Sequence, residues 1–325
     1  GDIDVDGTSN LDVIDVDGAA NFAADVTLAN GADLITASAG TDNVRFGENA
    51  GNSIASGGLR NVLIGKNAGT ALTTGDSNVA IGWEALKTED THANSVAVGA
   101  SALATQNAGA DSYNVAMGYN AGLSVITGKN NTFVGGLAGD GTDDGNNNTG
   151  VGYGALTENC GPNNTAIGFL AGKSITGSFN TTIGQQAGMD LTSGTYNTYV
   201  GSEAGKGTGT TSGSSNVGVG YASLYSNQTG GSNTAVGLWS LFTNTTGGTN
   251  TAVGGYALRY NTTGAGGTAL GYQALRDNQT ASNNTAVGSN ALLTNTTGAQ
   301  NTAVGHQALQ DNLTGVSNTA VGQVA

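Results

Sequence analysis

The phrase Asn301-Thr302-Ala303-Val304-Gly305 decides the fold, because close variants of it recur from residue 43 to the end of the chain. Seventeen glycines close copies of the phrase. Eleven of the sixteen intervals between them are 17 residues long, and the others are 16, 18 or 19. The residue before each glycine is apolar, and the residue three before it is Val or Thr. A strict repeat of this length predicts a solenoid, in which each coil packs against its neighbours.

Each copy contains the pattern of a short strand. Two β-branched or aliphatic positions flank a residue that is usually Ala, so the side chains should alternate between two faces, and the small residue should allow a neighbouring chain to approach closely. The glycine permits a bend, and polar turns such as Asn-Thr-Thr-Gly at 295–298 follow it. A 17-residue unit is too short for a βαβ crossover. We therefore expect an all-β, repetitive β-solenoid of about seventeen coils, each with two short strands and two turns.

An asparagine stands four residues before the glycine in fifteen of the seventeen copies, and Ser95 and Gly267 are the exceptions. Identical amides in register on stacked strands can hydrogen-bond along the stack, so the column predicts an asparagine ladder. Coils stacked at a strand spacing of about 4.8 Å would make the sixteen steps roughly 77 Å long.

Composition and charge exclude several classes of protein. The 325 residues include 56 glycines, only 10% are charged, and the net charge is −14. Such an acidic surface repels phosphate backbones, so no nucleic-acid partner is expected. No run of about 18 apolar residues is present, so we expect no membrane insertion. The chain starts at Gly1 without Met and stops inside a repeat, which indicates a segment of a longer protein.

Two regions are expected. Residues 43–325 form the roll of repeats, and residues 1–42 carry nine Asp with no Lys or Arg. Alternation of Asp with Ile3 and Val5 predicts an acidic β stem, or shaft segment, that leads into the roll.

The start of the stem matches the opening of a calcium loop, with Asp2, Asp4 and Asp6 as candidate ligands. The bidentate Glu that should close such a loop is replaced by Val13. A solvated acidic strand face is therefore the preferred interpretation, and no metal or cofactor is expected.

Catalysis finds no support in the sequence. Cys160 is the only cysteine, so no disulfide can form within the chain, and His92 and His306 are the only histidines. A nucleophile needs a base within hydrogen-bonding reach and a group that orients it. No cluster of residues meets that requirement, so we predict that the protein is not an enzyme.

Aromatic side chains recur directly after the repeat glycine. Aromatic faces spaced along a groove can stack on sugars, although rungs within a stack and chain interfaces use the same residues. The candidate surface glycan contacts are Trp83, Tyr119, Tyr153, Tyr221 and Tyr272.

The phrase resembles two families. Asn94-Ser95-Val96-Ala97-Val98-Gly99 is similar to the head repeats of trimeric autotransporter adhesins, whose usual period is shorter than 17. The combination NTAVGxxAL…NTTG is still more similar to the repeats of bacteriophage tail fibres, and it extends over residues 43–325. The resemblance implies a homotrimer of left-handed parallel β-rolls, located in a virion tail fibre or at a cell surface.

The leading hypothesis is a structural protein, a phage tail fibre segment that acts as a rigid spacer and contacts a host-surface glycan or protein. A bacterial adhesin of the trimeric autotransporter type is the alternative. An ice-binding solenoid and a glycan depolymerase are minor alternatives. Threonines recur in register, as at Thr285 and Thr302, but their column also holds Val79, which we take to indicate a buried position.

Overall fold

The computed structural model describes Gly40 and residues 42–325, so the calcium candidates and all but the end of the predicted stem lie outside the described residues. The described part is all-β, a parallel β-solenoid with no helix in residues 42–325, as predicted. Each strand has three residues. The strands are β1 Val44–Phe46, β2 Val62–Ile64, β3 Val79–Ile81, β4 Val96–Val98, β5 Val115–Met117, β6 Thr132–Val134, β7 Thr149–Val151, β8 Thr165–Ile167, β9 Thr181–Ile183, β10 Thr198–Val200, β11 Val217–Val219, β12 Thr234–Val236, β13 Thr251–Val253, β14 Thr268–Leu270, β15 Thr285–Val287, β16 Thr302–Val304 and β17 Thr319–Val321.

Every strand pairs in parallel with the next one along the chain, so the sheet grows by one strand per repeat. The register aligns the repeat columns, as in Thr234 with Thr251 and Ala235 with Ala252. The expectation of two strands per coil is wrong. Residues with left-handed backbone, such as Tyr256 at φ 62° and Leu258 at φ 48°, interrupt the extended conformation on the far side of each coil. Hydrogen bonds to the next coil continue there, for example from the Leu241 N–H to the Ala257 carbonyl, but within turns.

The interior of each coil is narrow and filled by small residues. The middle residue of the strand points inward, as Ala252 does, and it packs with the Ala three residues after the glycine and a following Leu, here Ala257 and Leu258. The middle residue therefore does not face a neighbouring chain, and the expectation that it would allow chains to approach is wrong. A cross-section of one 17-residue coil leaves room for few carbons, so the smallest side chain takes the inward position.

Two coils carry an aromatic side chain in the inward strand position, and the next coil compensates with glycine. Phe133 pairs with Gly150, and Tyr199 pairs with Gly218. A Cβ on Gly150 would lie 3.1 Å from the Phe133 ring, and one on Gly218 would lie 3.0 Å from the Tyr199 ring. The combination of a large side chain in one coil with glycine in the next keeps the total interior volume nearly constant, which core packing requires.

The asparagine column forms the predicted ladder. In β12 and its neighbours, the Asn233 Oδ1 accepts a hydrogen bond of 2.9 Å from the Asn250 N–H. The Asn233 Nδ2 donates to the Gly247 carbonyl at 2.9 Å. The side chains of this column thus satisfy backbone groups of the next coil and of the adjacent turn, although the Asn148 Nδ2 has no hydrogen-bond partner among the described residues. All are buried except Asn318 in the last coil. Because buried backbone groups need partners, the ladder explains why the column tolerates few other residues.

A second ladder runs through the polar turns and was not predicted. The asparagine seven residues after the repeat glycine donates through Nδ2 to the Oδ1 of its counterpart one coil earlier, at 2.8–3.1 Å. The same Nδ2 also donates to a carbonyl three residues later within its own turn. Its members are Asn227, Asn244, Asn261, Asn278, Asn295 and Asn312.

A glutamine bridges the ladder where Ser95 interrupts it. The Gln106 Nε2 lies 3.0 Å from the Oγ atoms of both Ser95 and Ser112, and the Gln106 Oε1 accepts from the Asn114 Nδ2 at 2.9 Å. Gln106 belongs to a 19-residue interval between repeat glycines, so the two extra residues allow its amide to replace the missing one.

Candidate interaction surfaces

The first surface is the outer face of the sheet, defined by the first and third residues of every strand. These side chains stand on the side opposite the buried middle residue and are half-buried or exposed. The third position is apolar in all seventeen strands, and Val253 and Val304 expose 38% and 36% of their surface. The outer face is therefore a continuous apolar stripe beside a column of Thr and Val.

The threonine column is not buried, so that expectation is wrong. Thr234, Thr251, Thr268, Thr285 and Thr302 are all half-buried on the outer face. Alternation along a strand identifies two faces but not which one points inward. The narrow interior of the coil decides the question, because it accepts Ala in preference to Thr or Val.

The second surface is the row of aromatic residues that follows the repeat glycines. All five predicted glycan contacts are exposed, with 47–62% of their surface accessible, but they do not touch one another. Tyr153 stacks on Phe169 with the ring centroids 5.9 Å apart. In the described residues, Trp83 and Tyr119 make no aromatic ring contact. The five residues therefore do not form one continuous platform.

Tyr221 and Tyr272 instead belong to a cluster whose centre the sequence reasoning missed. The Trp239 ring lies 6.3 Å from Tyr221 and 5.4 Å from Tyr256, and Tyr256 meets Tyr272 edge to face at 5.7 Å. Trp239 and Tyr256 each stand two residues after a repeat glycine, 17 residues apart. Alignment of that column would have placed them side by side.

Arg259 lies among these rings. Its guanidinium carbon is 4.5 Å from the Trp239 ring centroid, 5.2 Å from that of Tyr256 and 4.9 Å from that of Tyr260. In the described residues its side chain makes no ion pair and its buried Nε has no hydrogen-bond partner. We name Trp239, Tyr256, Arg259 and Tyr260 the Arg259 cluster.

One group of metal-ligand type residues occurs in the described part of the chain, at Glu89, Asp90 and His92. The Nδ1 of His92 lies 2.7 Å from the Glu89 Oε1, and the Gln106 Nε2 donates to the Glu89 Oε2 at 2.9 Å. Both oxygens of this buried carboxylate are already engaged. The hydrogen bonds of the polar core around Gln106 therefore explain why these three residues lie together.

Cys160 lies in the core, where its Sγ is 3.1 Å from the Thr142 Oγ1. Burial raises the pKa of the Cys160 thiol to about 11. A thiol with so high a pKa stays protonated near neutral pH, and the thiolate is the nucleophilic form. Cys160 therefore acts as a small core residue.

No family model matches the chain, and no curated protein matches it significantly. None of the described residues forms a helix able to cross a membrane.

Proposed function

We propose that residues 43–325 form a rigid segment of a homotrimeric fibre of the bacteriophage tail-fibre type, in which three rolls pack through their outer faces. The observation that carries this proposal is the apolar stripe in the third strand position, which has no partner within the described chain. Exposed apolar surface of this length marks an interaction site. The number of copies comes from the resemblance to trimeric fibre repeats, which also suggests a location in a virion or at a cell surface.

The dimensions of the outer face suit a stable interface. Seventeen strands at about 4.8 Å spacing give a face roughly 77 Å long, and three residues at about 3.3 Å give a width of roughly 10 Å. The resulting area of about 800 Å² per copy is what one partner contributes to a standard protein interface, and in a trimer each copy shares it between two neighbours. A bacterial adhesin of the trimeric autotransporter type would use the same assembly and remains the alternative placement.

Charges placed on the outer face should separate the copies. We expect Val253→Asp with Val287→Asp to yield a monomer in analytical ultracentrifugation, because each assembly would then bury unpaired carboxylates of like charge. The loss in association should be at least about 100-fold, or about 2.7 kcal/mol. Far-UV circular dichroism should match that of the wild type, since both positions point away from the coil interior.

The matched control places the same charges on exposed turn positions, Leu313→Asp with Val316→Asp. This control should retain the wild-type mass. If the Val253 and Val287 double variant keeps that mass while it is folded, the outer face is not the interface.

The spacer role predicts that whole coils can be removed. Deletion of residues 119–152 takes out two coils between Gly118 and the turn after Gly152, and it leaves the register intact. The maximum dimension in small-angle scattering should fall by roughly 10 Å, one strand spacing per coil, with little change in circular dichroism. Deletion of residues 119–144 removes one and a half coils, and it should disrupt folding because the columns no longer align. Equal folding of both deletions would contradict a rigid, registered stack.

An ice-binding solenoid is the second candidate, favoured by the outward threonine column. Thr285 and Thr302 lie in register on adjacent strands, so the outer face carries a regular grid of hydroxyl and methyl groups. That role needs the outer face to be free, whereas the trimer covers it. The two candidates therefore exclude each other on this face.

A further inference from the structure

We propose that the Arg259 cluster binds a carboxylated glycan, the carboxylate pairing with the guanidinium of Arg259 and a sugar ring stacking on the aromatic residues around it. The inference rests on the proposed function, since it gives a surface-exposed fibre a defined class of ligand. It concerns a site on the turn that follows the strand, separate from the outer face.

The guanidinium of Arg259 is available to an anionic partner. Five of the nine Lys and Arg residues form ion pairs with acidic side chains, but Arg259 does not. Its guanidinium carbon lies within 5.2 Å of the ring centroids of Trp239, Tyr256 and Tyr260, and we infer that these rings restrict its orientation. A guanidinium held in one orientation offers two parallel donors to a carboxylate, so a ligand gains affinity without ordering the side chain.

The charge distribution along the chain favours an anion at this site. The whole chain has a net charge of −14, yet residues 207–325 contain two acidic residues, Asp277 and Asp311, against Arg259 and Arg276. Asp277 is neutralised by Arg276, with two contacts of 2.7 Å between the side chains. Repulsion of an anionic glycan should therefore be weaker here than at the acidic part of the protein, and Arg259 forms no ion pair within the described part of the chain.

A groove beside the cluster has the lining of a sugar site. It has a volume of about 430 Å³ and is lined by Tyr260, Asp277, Gln279, Thr294, Thr296 and Leu313. An exposed aromatic ring, a carboxylate, an amide and hydroxyl groups are what a sugar needs for stacking and for hydrogen bonds to its own hydroxyls. Tyr260 contacts Arg259 and also borders the groove, so a glycan of two or more units can contact both.

The arrangement argues against a neutral glycan as the main ligand. Stacking on Trp239 and Tyr272 is available to any sugar, but it leaves the charge of Arg259 without a partner. A carboxylate would form an ion pair with the guanidinium of Arg259. Specificity for the acidic form should therefore come from Arg259, and affinity for all forms from the aromatic rings.

The test uses the whole chain and a panel of uronic-acid and sialic-acid oligosaccharides, each compared with its own carboxyl methyl ester, by calorimetry at low and at physiological salt. At least one acid should bind about 10-fold or more tightly than its ester, since a charge-assisted hydrogen-bonded pair is stronger than a neutral one. Arg259→Gln should reduce binding of the acid to the level of the ester and leave the ester unchanged. Trp239→Leu should weaken both forms.

The matched control is Lys173→Gln, which removes one positive charge from a residue without an ion pair on a distant coil. It should bind like the wild type. The proposal is overturned if no acid exceeds its ester, or if Arg259→Gln leaves the preference intact in a folded protein. Neither of these outcomes bears on the trimer. Conversely, a monomer that still prefers acids through Arg259 would contradict the trimer and leave the glycan site in place.

Discussion

Gly254→Ala is expected to cost about 3 kcal/mol or more in the free energy of unfolding and to abolish assembly at 37 °C. The backbone of Gly254 has φ +135°, a conformation that side chains disfavour, and a Cβ there would lie 2.6 Å from the carbonyl carbon of Gly271 in the next coil. Strain of about 1–3 kcal/mol adds to an overlap between two backbones that neither can relieve by a rotamer change. Thermal unfolding followed by circular dichroism measures the loss.

The adjacent glycine provides a matched control. A Cβ on Gly255 would meet only the ring of Tyr272, at 3.6 Å, and the backbone there does not have positive φ. Gly255→Ala should therefore be neutral, or stabilising by about 0.4–1 kcal/mol through the unfolded state. Similar losses of stability in the two variants would show that the close approach of the next coil is not the reason why this position requires glycine.

Asn233→Ala should destabilise the roll by about 2–4 kcal/mol. The substitution leaves the buried N–H of Asn250 without its acceptor and removes the bond from the Asn233 amide to the Gly247 carbonyl. An orphaned buried donor costs about 1–3 kcal/mol, and each lost bond adds about 1 kcal/mol. The Gly247 carbonyl keeps a second donor, the Asn244 Nδ2, which limits the effect.

Asn107→Ala provides the comparison, because Asn107 is exposed and its side chain makes no hydrogen bond within the described part of the chain. Its midpoint of thermal unfolding should stay close to that of the wild type. Equal losses at Asn233 and Asn107 would mean that the ladder does not stabilise the stack.

The strand positions and the first ladder could be predicted because each depends on local repetition. One phrase ending in Gly305 contains an alternating strand, a bend and an asparagine, and repetition at 17 residues aligns them on neighbouring coils. The turn that contains Asn244 could be predicted from its sequence. The hydrogen bond from the Asn244 Nδ2 to Asn227 in the neighbouring coil could not, because it depends on how closely the turns stack.

The direction of the strand faces could not be predicted from alternation alone. Ala252 points inward and Thr251 outward because the interior of the coil is narrow, and that width depends on the path of the whole coil. The Arg259 cluster was missed for a different reason. Trp239 stands two residues and Arg259 five residues after the repeat glycine, in columns whose residue type varies from copy to copy, so the repeat pattern does not mark them. The same 17-residue alignment, applied to every column, would have brought these residues together.

The mass of the wild-type protein in solution tests the central claim most directly. Light scattering at micromolar concentration should give about 95 kDa, three times the chain mass of 31.8 kDa, with the outer faces covered. A stable monomer of about 32 kDa would contradict the trimeric fibre. If that monomer also depressed the freezing point of water without changing the melting point of ice, the exposed column of threonines would be an ice-binding surface instead.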